Sequence, residues 1–466
     1  MRKKCTIEIN DFGGLDSSSY NVISGEKLIG SKGIIEATFP KNEIDHEGIK
    51  LNIEGAGISS IDGLAYFKQY YPSNKSSVYR LLVHAGDKKV YINQLLCGLD
   101  GLFWLYNLSF ENPPIILSFK QDDSDAIILT DKEKMQVWVT GYSPYTITDV
   151  PVITSMCMND GVLFCTLQEP AFKIWYATNL DVENVGNIDK FSGYISLDDD
   201  LGYARKILTF DENVYIFRDY GISKVNFSKN SATFSQIYHS NTLIFSDTIS
   251  ACGKCILFAT RDGLYSFNGV SVSKLKIDIF NGVDFLNSRF ACASLGDEYF
   301  LSARINFDDG EKIMCENGEY VNNALIIINA ENMTHQVIRG VDVGSLLAVK
   351  TEVFEKVLVT FNSVYNMKIG EIVNDAICFD DELPKIWKVN NLIDDYGTKL
   401  INRLTVYGKK GVKFRFLYDG KEISFVTYKD GINEFLFQFI AREVGLEVSS
   451  SVDFSVEKIL VDYYAY

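Results

Sequence analysis

Residues 255–269 read CILFATRDGLYSFNG, and this stretch is the clearest indication of the fold. An apolar run at 255–258 is followed by the polar segment Arg261-Asp262-Gly263 and by a second run at 264–267 that carries aromatic residues. The pair Asn268-Gly269 is typical of a tight β-hairpin turn. Short apolar runs closed by turn residues predict antiparallel strands rather than helices.

The same loose unit of two strands and a polar turn recurs along the chain. Its other copies begin near residues 80, 126, 162, 214, 299 and 357. In the copy near 299 we expect the second strand at 324–328, after a long polar insertion, and in the copy near 357 at 364–367. The start-to-start spacing of about 35 to 60 residues is typical of a four-stranded propeller blade. Blades packed around an axis bury both faces of each sheet, which one sheet alone cannot do. The sequence therefore predicts an all-β chain with a β-propeller of six or seven blades at 61–380; two β-sandwiches are the competing architecture.

The C-terminal residues 381–466 change in character. Apolar and polar residues alternate through 412–416 and through 459–463, as in strands with one buried face. This pattern predicts a separate antiparallel β-sandwich after the propeller. The acidic stretch 379–384 is the expected boundary, because Pro384 disfavours pairing in a sheet.

The N-terminal residues 1–60 are less regular. Turn-rich segments lie at 11–16 and at 30–33. We expect an N-terminal arm and propeller-closing segment here. The residues leave open whether the segment is extended or adds a strand to the last blade.

The bulk charge limits the possible partners. The chain of 466 residues has a formal net charge of −16. Phosphate binding needs clustered Lys and Arg, so we expect no tight nucleic-acid binding, although a channel along which DNA slides remains possible. No signal peptide and no long apolar segment are visible, so we expect no membrane insertion. Nine scattered Cys residues indicate thiols in a reducing cytoplasm rather than a disulfide framework.

Residues with possible catalytic or metal-binding chemistry are dispersed. Cys252 and Cys255 form one C-x-x-C, but no second pair accompanies them, so we interpret them as two thiols beside the start of a strand. The four histidines are His46, His84, His239 and His335. They match no metal or triad spacing, and nucleotide-binding loops are absent. The sequence therefore predicts no enzyme, no catalytic, cofactor-binding or metal-binding residues, and no cofactor.

Acidic clusters leave calcium binding open as an alternative. They lie at 122–125, 198–200, 308–311 and 394–395, and 308–311 comes nearest to a calcium-binding turn. None fits the EF-hand loop, so we interpret them as solvated loops. Paired carboxylates also occur in glycosidases. However, the four Trp residues are spread one per region, which does not indicate a sugar platform.

Three segments resemble a pair of blades in the propeller proteins of tailed bacteriophages, namely tail nozzle, neck and virion-stabilisation proteins. They read WYATNL at 175–180, GYISLD at 193–198 and KILTFDENVYIFRDYGI at 206–222. The opening NDFGGLD at 10–16 looks like the start of these proteins, and 387–463 is similar to their C-terminal modules. The resemblance covers about half of the chain. No ring-forming element or gate loop is identifiable in it.

The resemblance implies a non-enzymatic structural component of a virion, in the tail, neck or nozzle. It implies a homo-oligomeric ring that forms or decorates the DNA channel, and contacts with other tail proteins or with portal or adaptor proteins. It also implies assembly in the cytoplasm of the bacterial host. The acidic balance fits a lumen that does not hold DNA tightly. The alternatives are a carbohydrate- or receptor-binding propeller at the tail tip and, third, a propeller glycosidase.

Overall fold

Antiparallel strands and three short 3-10 helices make up the regular structure of the described residues. The helices are η1 (Val185–Phe191), η2 (Ser246–Thr248) and η3 (Asp278–Gly282). None of these helices is long and apolar enough to cross a membrane. The computed structural model describes residues 3–10, 12, 28–29, 32–37, 58–71, 75–95, 103–121, 124–139, 143–148, 150–178, 185–228, 231–307, 314–315, 318–319, 321–374, 385–393, 397–450 and 455–466.

Three N-terminal strands join sheets whose other strands come from distant parts of the chain. They are β1 (Lys3–Ile9), β2 (Leu28–Ile29) and β3 (Gly33–Glu36). Strands β1 and β2 pair with the last strand of the chain, whereas β3 pairs with a strand near residue 370. The N-terminal segment therefore contributes to both halves of the protein.

Among the described residues, seven four-stranded antiparallel sheets form the larger part of the structure, and we number them as blades 1 to 7. Blade 1 consists of β4 (Ile61–Tyr71), β5 (Ser76–Ala85), β6 (Lys89–Gln94) and β7 (Phe103–Ser109). Blade 2 consists of β8 (Ile115–Gln121), β9 (Ser124–Thr130), β10 (Met135–Val139) and β11 (Tyr145–Ile147). Blade 3 consists of β12 (Ile153–Asn159), β13 (Val162–Leu167), β14 (Lys173–Ala177) and β15 (Ser192–Ser196). Blade 4 consists of β16 (Ala204–Phe210), β17 (Asn213–Arg218), β18 (Gly221–Ser228) and β19 (Ser231–His239). Blade 5 consists of β20 (Ser250–Cys252), β21 (Cys255–Thr260), β22 (Gly263–Phe267) and β23 (Val272–Lys274).

Blades 6 and 7 depart from simple succession. Blade 6 carries an inserted two-stranded sheet, and blade 7 takes its fourth strand from the N-terminal segment. Blade 6 consists of β24 (Ala291–Leu295), β25 (Glu298–Ala303), β28 (Ala324–Asn329) and β29 (His335–Arg339), and its inserted sheet of β26 (Met314–Cys315) and β27 (Gly318–Glu319). Blade 7 consists of β30 (Val343–Lys350), β31 (Glu355–Phe361), β32 (Gly370–Val373) and β3. The predicted pairing of the strand at residue 299 with the strand at residue 324, across a long insertion, is present.

The blades form a closed ring. The first strands of neighbouring blades lie side by side at the junctions of blades 1 to 4 and of blades 5 to 7, and β30 of blade 7 lies beside β4 of blade 1. An apolar cluster joins blades 4 and 5. Each of the seven interfaces between neighbouring blades holds its own buried apolar cluster. The cluster that joins the ends of the ring packs Val349 and Leu358 of blade 7 against Ile61 and Val83 of blade 1. The architecture is a seven-bladed β-propeller, which confirms the predicted fold.

Strand β3 completes blade 7 on the outer side of β32. Ile34 faces Ile372 across the ladder and is fully buried in the cluster between blades 6 and 7. A Cβ on Gly370 would lie 2.6 Å from the Cγ2 of Ile34 and 2.7 Å from the Cγ2 of Val359. The close approach of β3 therefore requires a glycine at position 370.

The seventh repeat differs from its prediction in one detail. The sequence pattern predicts a second strand at 364–367, whereas the strand that pairs with β31 is β32, which begins at Gly370. Asn362 and Ser363, in the segment between β31 and β32, donate hydrogen bonds to the Asp342 carboxylate at 2.8 and 3.1 Å. These tertiary contacts hold the segment that replaces the expected strand.

Residues after the propeller form two packed antiparallel sheets, as predicted for the C-terminal sandwich. Their strands are β33 (Lys385–Val389), β34 (Lys399–Gly408), β35 (Lys413–Tyr418), β36 (Lys421–Val426), β37 (Gly431–Ala441), β38 (Val444–Ser450) and β39 (Ser455–Ala465). One sheet has the order β1-β39-β34-β37 and the other β33-β38-β35-β36. The predicted boundary at 379–384 lies outside the described residues. Between the sheets, Phe414, Phe416 and Val461 are fully buried in one apolar cluster.

Candidate interaction surfaces

The C-x-x-C motif forms the end of a β-hairpin. Cys252 and Cys255 are partners in the ladder between β20 and β21, and Gly253-Lys254 makes the two-residue turn between them. Both cysteines are reduced, and the Cys255 Sγ lies 3.5 Å from the Cys252 carbonyl oxygen. Burial raises the pKa of the Cys252 thiol to about 12, so this thiol carries little thiolate at neutral pH.

The histidines are kept apart in the fold. His84 is buried in blade 1, where its Nε2 lies 2.8 Å from the Phe110 carbonyl oxygen. His335 is buried in blade 6, and burial lowers its pKa. His239 ends the last strand of blade 4, and His46 lies outside the described residues. Among the described residues, no group of three His, Cys, Asp or Glu side chains could hold a metal ion.

Of the acidic clusters, 198–200 is fully described. Its side chains are exposed, and Asp199 forms an ion pair with the buried guanidinium of Arg218. This carboxylate therefore neutralises a buried arginine. The residues 122–123, 308–311 and 394–395 of the other clusters lie outside the described residues.

One face of the propeller carries the connections between successive blades and the turns between the second and third strand of each blade. We call it the connection face. In blades 2 and 4, the aspartate in the turn between the second and third strands accepts hydrogen bonds from the loop that leads into the first strand of the same blade. The Asp131 carboxylate accepts the Glu111 N–H at 2.8 Å, and the Asp219 carboxylate accepts the Tyr203 N–H at 2.9 Å. Such buried hydrogen bonds fix the loops of this face to the sheets.

Exposed aromatic side chains cluster on the connection face at blades 3 and 4. Phe172, Tyr203 and Tyr220 are 45%, 50% and 42% exposed. Their segments are tied together, because the Leu197 N–H donates to the Phe172 carbonyl and the Tyr220 N–H to the Leu201 carbonyl, both at 2.9 Å. We call these three residues the blade 3–4 aromatic surface.

Cations lie over this aromatic surface. The Lys173 Nζ is 5.8 Å from the ring centre of Phe172, and the Arg205 Cζ is 5.4 Å from that of Tyr203. Sequence reasoning missed this surface because it looked for tryptophans. Trp138 and Trp175 are instead packed into the clusters between blades, as their equivalent repeat positions predict.

The sandwich presents a second candidate surface at strand β37. This strand ends its sheet, and none of the described strands pairs with its other edge. Three of its outward side chains are apolar, and these residues, Ile432, Leu436 and Ile440, are 48%, 80% and 59% exposed. Glu434 and Gln438 lie on the same face. A long apolar strand with an open edge is a template for pairing with another chain.

The two sides of the sandwich differ. On the side of β1 and β33, the fully buried Phe12 ring packs edge-on against Trp387, with ring centres 5.2 Å apart. On the side of β36 and β37, the half-buried rings of Phe425 and Phe435 lie 4.5 Å apart between the two edge strands. Phe12 of the N-terminal segment covers the side of β1 and β33. No described residue of that segment covers the side of β36 and β37.

Comparisons with known proteins give only structural likenesses. The sequence matches no family model and no curated protein. The structure of BBS1N in complex with ARL6DN, soaked with mercury, is similar at a TM-score of 0.41 and 10% identity, covering 73% of this chain and 96% of that one. The same complex soaked with lead has a TM-score of 0.42 at 11% identity, covering 68% and 92%. Kluyveromyces lactis Hsv2 has a TM-score of 0.33 at 10% identity, covering 55% and 80%.

Proposed function

We propose that this protein is a non-enzymatic structural component of a bacteriophage virion, placed in the tail, neck or nozzle within a homo-oligomeric ring near the DNA channel. The observation that carries the proposal is the difference between the two strands that end one sheet of the sandwich. Strand β1, paired with β39, exposes the polar residues Lys4, Thr6 and Glu8, whereas β37 exposes Ile432, Leu436 and Ile440. A stable body with one apolar edge suits a protein that works by assembly.

Two further features support this proposal. The segments at 175–180, 193–198 and 206–222, which resemble phage propeller proteins, lie in the adjacent blades 3 and 4. The net charge of −16 would limit adhesion of DNA to nearby walls, because like charges repel.

Labelling of phage particles tests the proposed function. Antibodies raised against the purified protein are applied to particles from a lysate of the host that carries the gene. We expect the protein to co-sediment with particles through a density gradient and to bind gold label at the neck or tail. Antibody preabsorbed with purified protein is the control. Protein found only in fractions free of particles would contradict the proposal.

Light scattering of the purified protein at two concentrations tests the oligomeric part. We expect a multimer, or a monomer that assembles as the concentration rises. A mass that stays monomeric at the highest attainable concentration would contradict a ring held by this chain alone.

The blade 3–4 aromatic surface favours one second candidate function, binding of a carbohydrate or receptor at the tail tip. Exposed aromatic rings on a face formed by loops are typical of recognition surfaces. A glycan array with the native protein and with the triple variant Phe172→Ala, Tyr203→Ala, Tyr220→Ala tests it. We expect the variant to lose binding, and Val270→Ala, at a site 83% exposed, to keep it. Equal binding by the native protein and the triple variant would exclude this surface.

A further inference from the structure

Strand β37 has few of the usual protections of an open edge. Natural edge strands are blocked by proline, by charged side chains such as lysine, by β-bulges or by inward-pointing charges. Residues 431–441 contain no proline or lysine, and Glu434 is their one charged residue. One bulge is present, since Ile401 faces Phe439 and Arg403 faces Leu436, and the strand pairs with β34 on both sides of it. The strand is therefore long enough for a partner strand, and little in its sequence opposes pairing.

The outward face of β37 is complementary to a second copy of itself. In an antiparallel pair centred on Leu436, that side chain faces its own counterpart. Ile432 of one copy then faces Ile440 of the other, and Glu434 faces Gln438. Apolar residues thus meet apolar residues, and the carboxylate meets an amide that can donate a hydrogen bond to it.

The inward face follows the same symmetry. Phe435 of one copy faces Phe437 of the other in this register. Both rings are half-buried in the single chain, with the Phe425 ring 4.5 and 5.3 Å from them. Aromatic pairs across strands are favourable, and a second copy would cover rings that one chain leaves partly exposed.

The charges that flank the strand point to a second copy rather than to an unrelated partner. Lys429 and Asp430 lie in the turn before β37, and Arg442 and Glu443 in the turn after it. Continued into these turns, the same register would bring Lys429 of one copy near Glu443 of the other, and Asp430 near Arg442. All four residues are exposed. Under one twofold axis, each of these charges meets a charge of opposite sign. This complementarity favours pairing with a second copy over pairing with an unrelated apolar strand.

We propose that two copies of this chain pair antiparallel through β37 about a twofold axis at Leu436. The contact joins two four-stranded paths into one continuous sheet and is isologous, since the same surface serves in both copies. The inference rests on the proposed structural role and deepens it by naming one surface through which two copies meet; a ring of more than two copies needs a second contact.

Cysteine cross-linking tests the axis directly. Opposite residues of antiparallel strands have Cα atoms about 4.5–5.5 Å apart, within the range of a disulfide. With oxidised glutathione, we expect Leu436→Cys to give a covalent dimer on a non-reducing gel. The matched control is Leu286→Cys on the propeller, since Leu286 is 75% exposed and Leu436 80%. The unsubstituted protein reports cross-links through native cysteines.

The register is tested with two further variants. Ile432→Cys and Ile440→Cys should each give little dimer alone, because residues 432 and 440 do not face themselves across the axis. A mixture of the two proteins, exchanged at low concentration, should give the dimer. A cross-link from Ile432→Cys alone would contradict this register.

Charge reversal provides a test without oxidation. Lys429→Glu and Glu443→Lys should each weaken the dimer, because each sets like charges opposite one another, and the double variant should restore it. Leu436→Lys should raise the dissociation constant by about tenfold or more, since it replaces an apolar contact with two facing ammonium groups. Thermal unfolding of each variant at low concentration shows whether the single chain still folds.

The outcomes separate this inference from the proposed function. Oligomers that persist in Leu436→Lys, with no cross-link in Leu436→Cys, would overturn pairing through β37 while leaving a ring possible. Failure of gold label on particles would overturn the virion role while leaving the dimer intact.

Discussion

The two strands that end one sheet of the sandwich present different outward faces. At one end, β1 pairs along its whole length with β39, and its exposed residues Lys4, Thr6 and Glu8 are polar. The Thr6 hydroxyl donates a 2.6 Å hydrogen bond to the Asp462 carboxylate. At the other end, β37 pairs with β34 and exposes Ile432, Leu436 and Ile440. Neither strand pairs with a further strand of the described chain, but only β37 presents apolar side chains on its outward face, and we infer that this edge is kept for assembly.

The largest expected effect comes from removing the covering segment. Deletion of residues 1–37 takes away β1 and β3, which complete the sandwich and blade 7. We expect the loss to be comparable with the whole stability of a domain, about 5–15 kcal/mol, and the product to aggregate through its newly open edges. Thermal unfolding and light scattering measure both effects. Deletion of residues 1–10 is the control, because it should affect the sandwich while leaving blade 7 closed.

A single side chain anchors the covered side of the sandwich. Phe12 is fully buried against Trp387, so Phe12→Ala should lower the free energy of unfolding by about 3–5 kcal/mol. Urea unfolding followed by tryptophan fluorescence measures it. Phe172→Ala, at a ring that is 45% exposed, should change stability much less. Equal losses of unfolding free energy in Phe12→Ala and Phe172→Ala would mean that Phe12 does not anchor the N-terminal segment on the sandwich.

The closing strand of blade 7 can be loosened from its partner. A methyl group at position 370 would press on Ile34 and Val359, so Gly370→Ala should cost about 1–3 kcal/mol. The same change made in an Ile34→Ala background should cost less, because the side chain it presses on is shorter. Chemical unfolding of the four proteins in this cycle gives the coupling. Strictly additive effects would argue against contact between β3 and Gly370.

The stability contributed by the hydrogen bond from Thr6 of β1 to Asp462 of β39 should depend on pH. Burial opposes ionisation of Asp462, but hydrogen bonds from Thr6 and Arg403 outweigh it and hold its pKa below the ordinary 3.8. A carboxyl group with a lowered native pKa stabilises the fold above its unfolded pKa, and that stability is lost as the pH falls through the native pKa. Asp462→Asn should therefore cost about 1–3 kcal/mol at neutral pH, with a smaller difference in acid. Unfolding at a series of pH values measures it, and a difference independent of pH would contradict it.

The smallest effect is expected at the uncovered edge. Leu436→Ala should change the unfolding free energy of the single chain by less than about 0.5 kcal/mol, because this side chain is 80% exposed. Leu404→Ala on the neighbouring strand should cost about 2–5 kcal/mol, because Leu404 is fully buried. Unfolding at low concentration, below self-association, compares them. A large effect of Leu436→Ala there would mean that β37 is already covered.

The candidate surfaces were less accessible to sequence reasoning than the fold. Phe172, Tyr203 and Tyr220 come from three different loops, and a single aromatic residue in a loop has no pattern of its own. The alternation along 431–441 predicts a strand with one buried face, but not that this strand ends its sheet. Which strands end the sheet depends on pairing between residues far apart in the chain, such as β1 with β39.

The amino-acid pattern is sufficient to specify the local units of this protein. Alternation of apolar residues and turn pairs such as Asn268-Gly269 specify hairpins, because both act between residues close in the chain. The tertiary structure alone decided how the N-terminal segment is divided, with Thr6 joined to Asp462 across 456 positions and Ile34 to Ile372 in blade 7. Such pairing depends on shape and burial at a strand far away in the chain, such as the room that Gly370 of β32 leaves for Ile34. An alternating pattern predicts that a segment forms a strand, but it does not identify the strand with which that segment pairs.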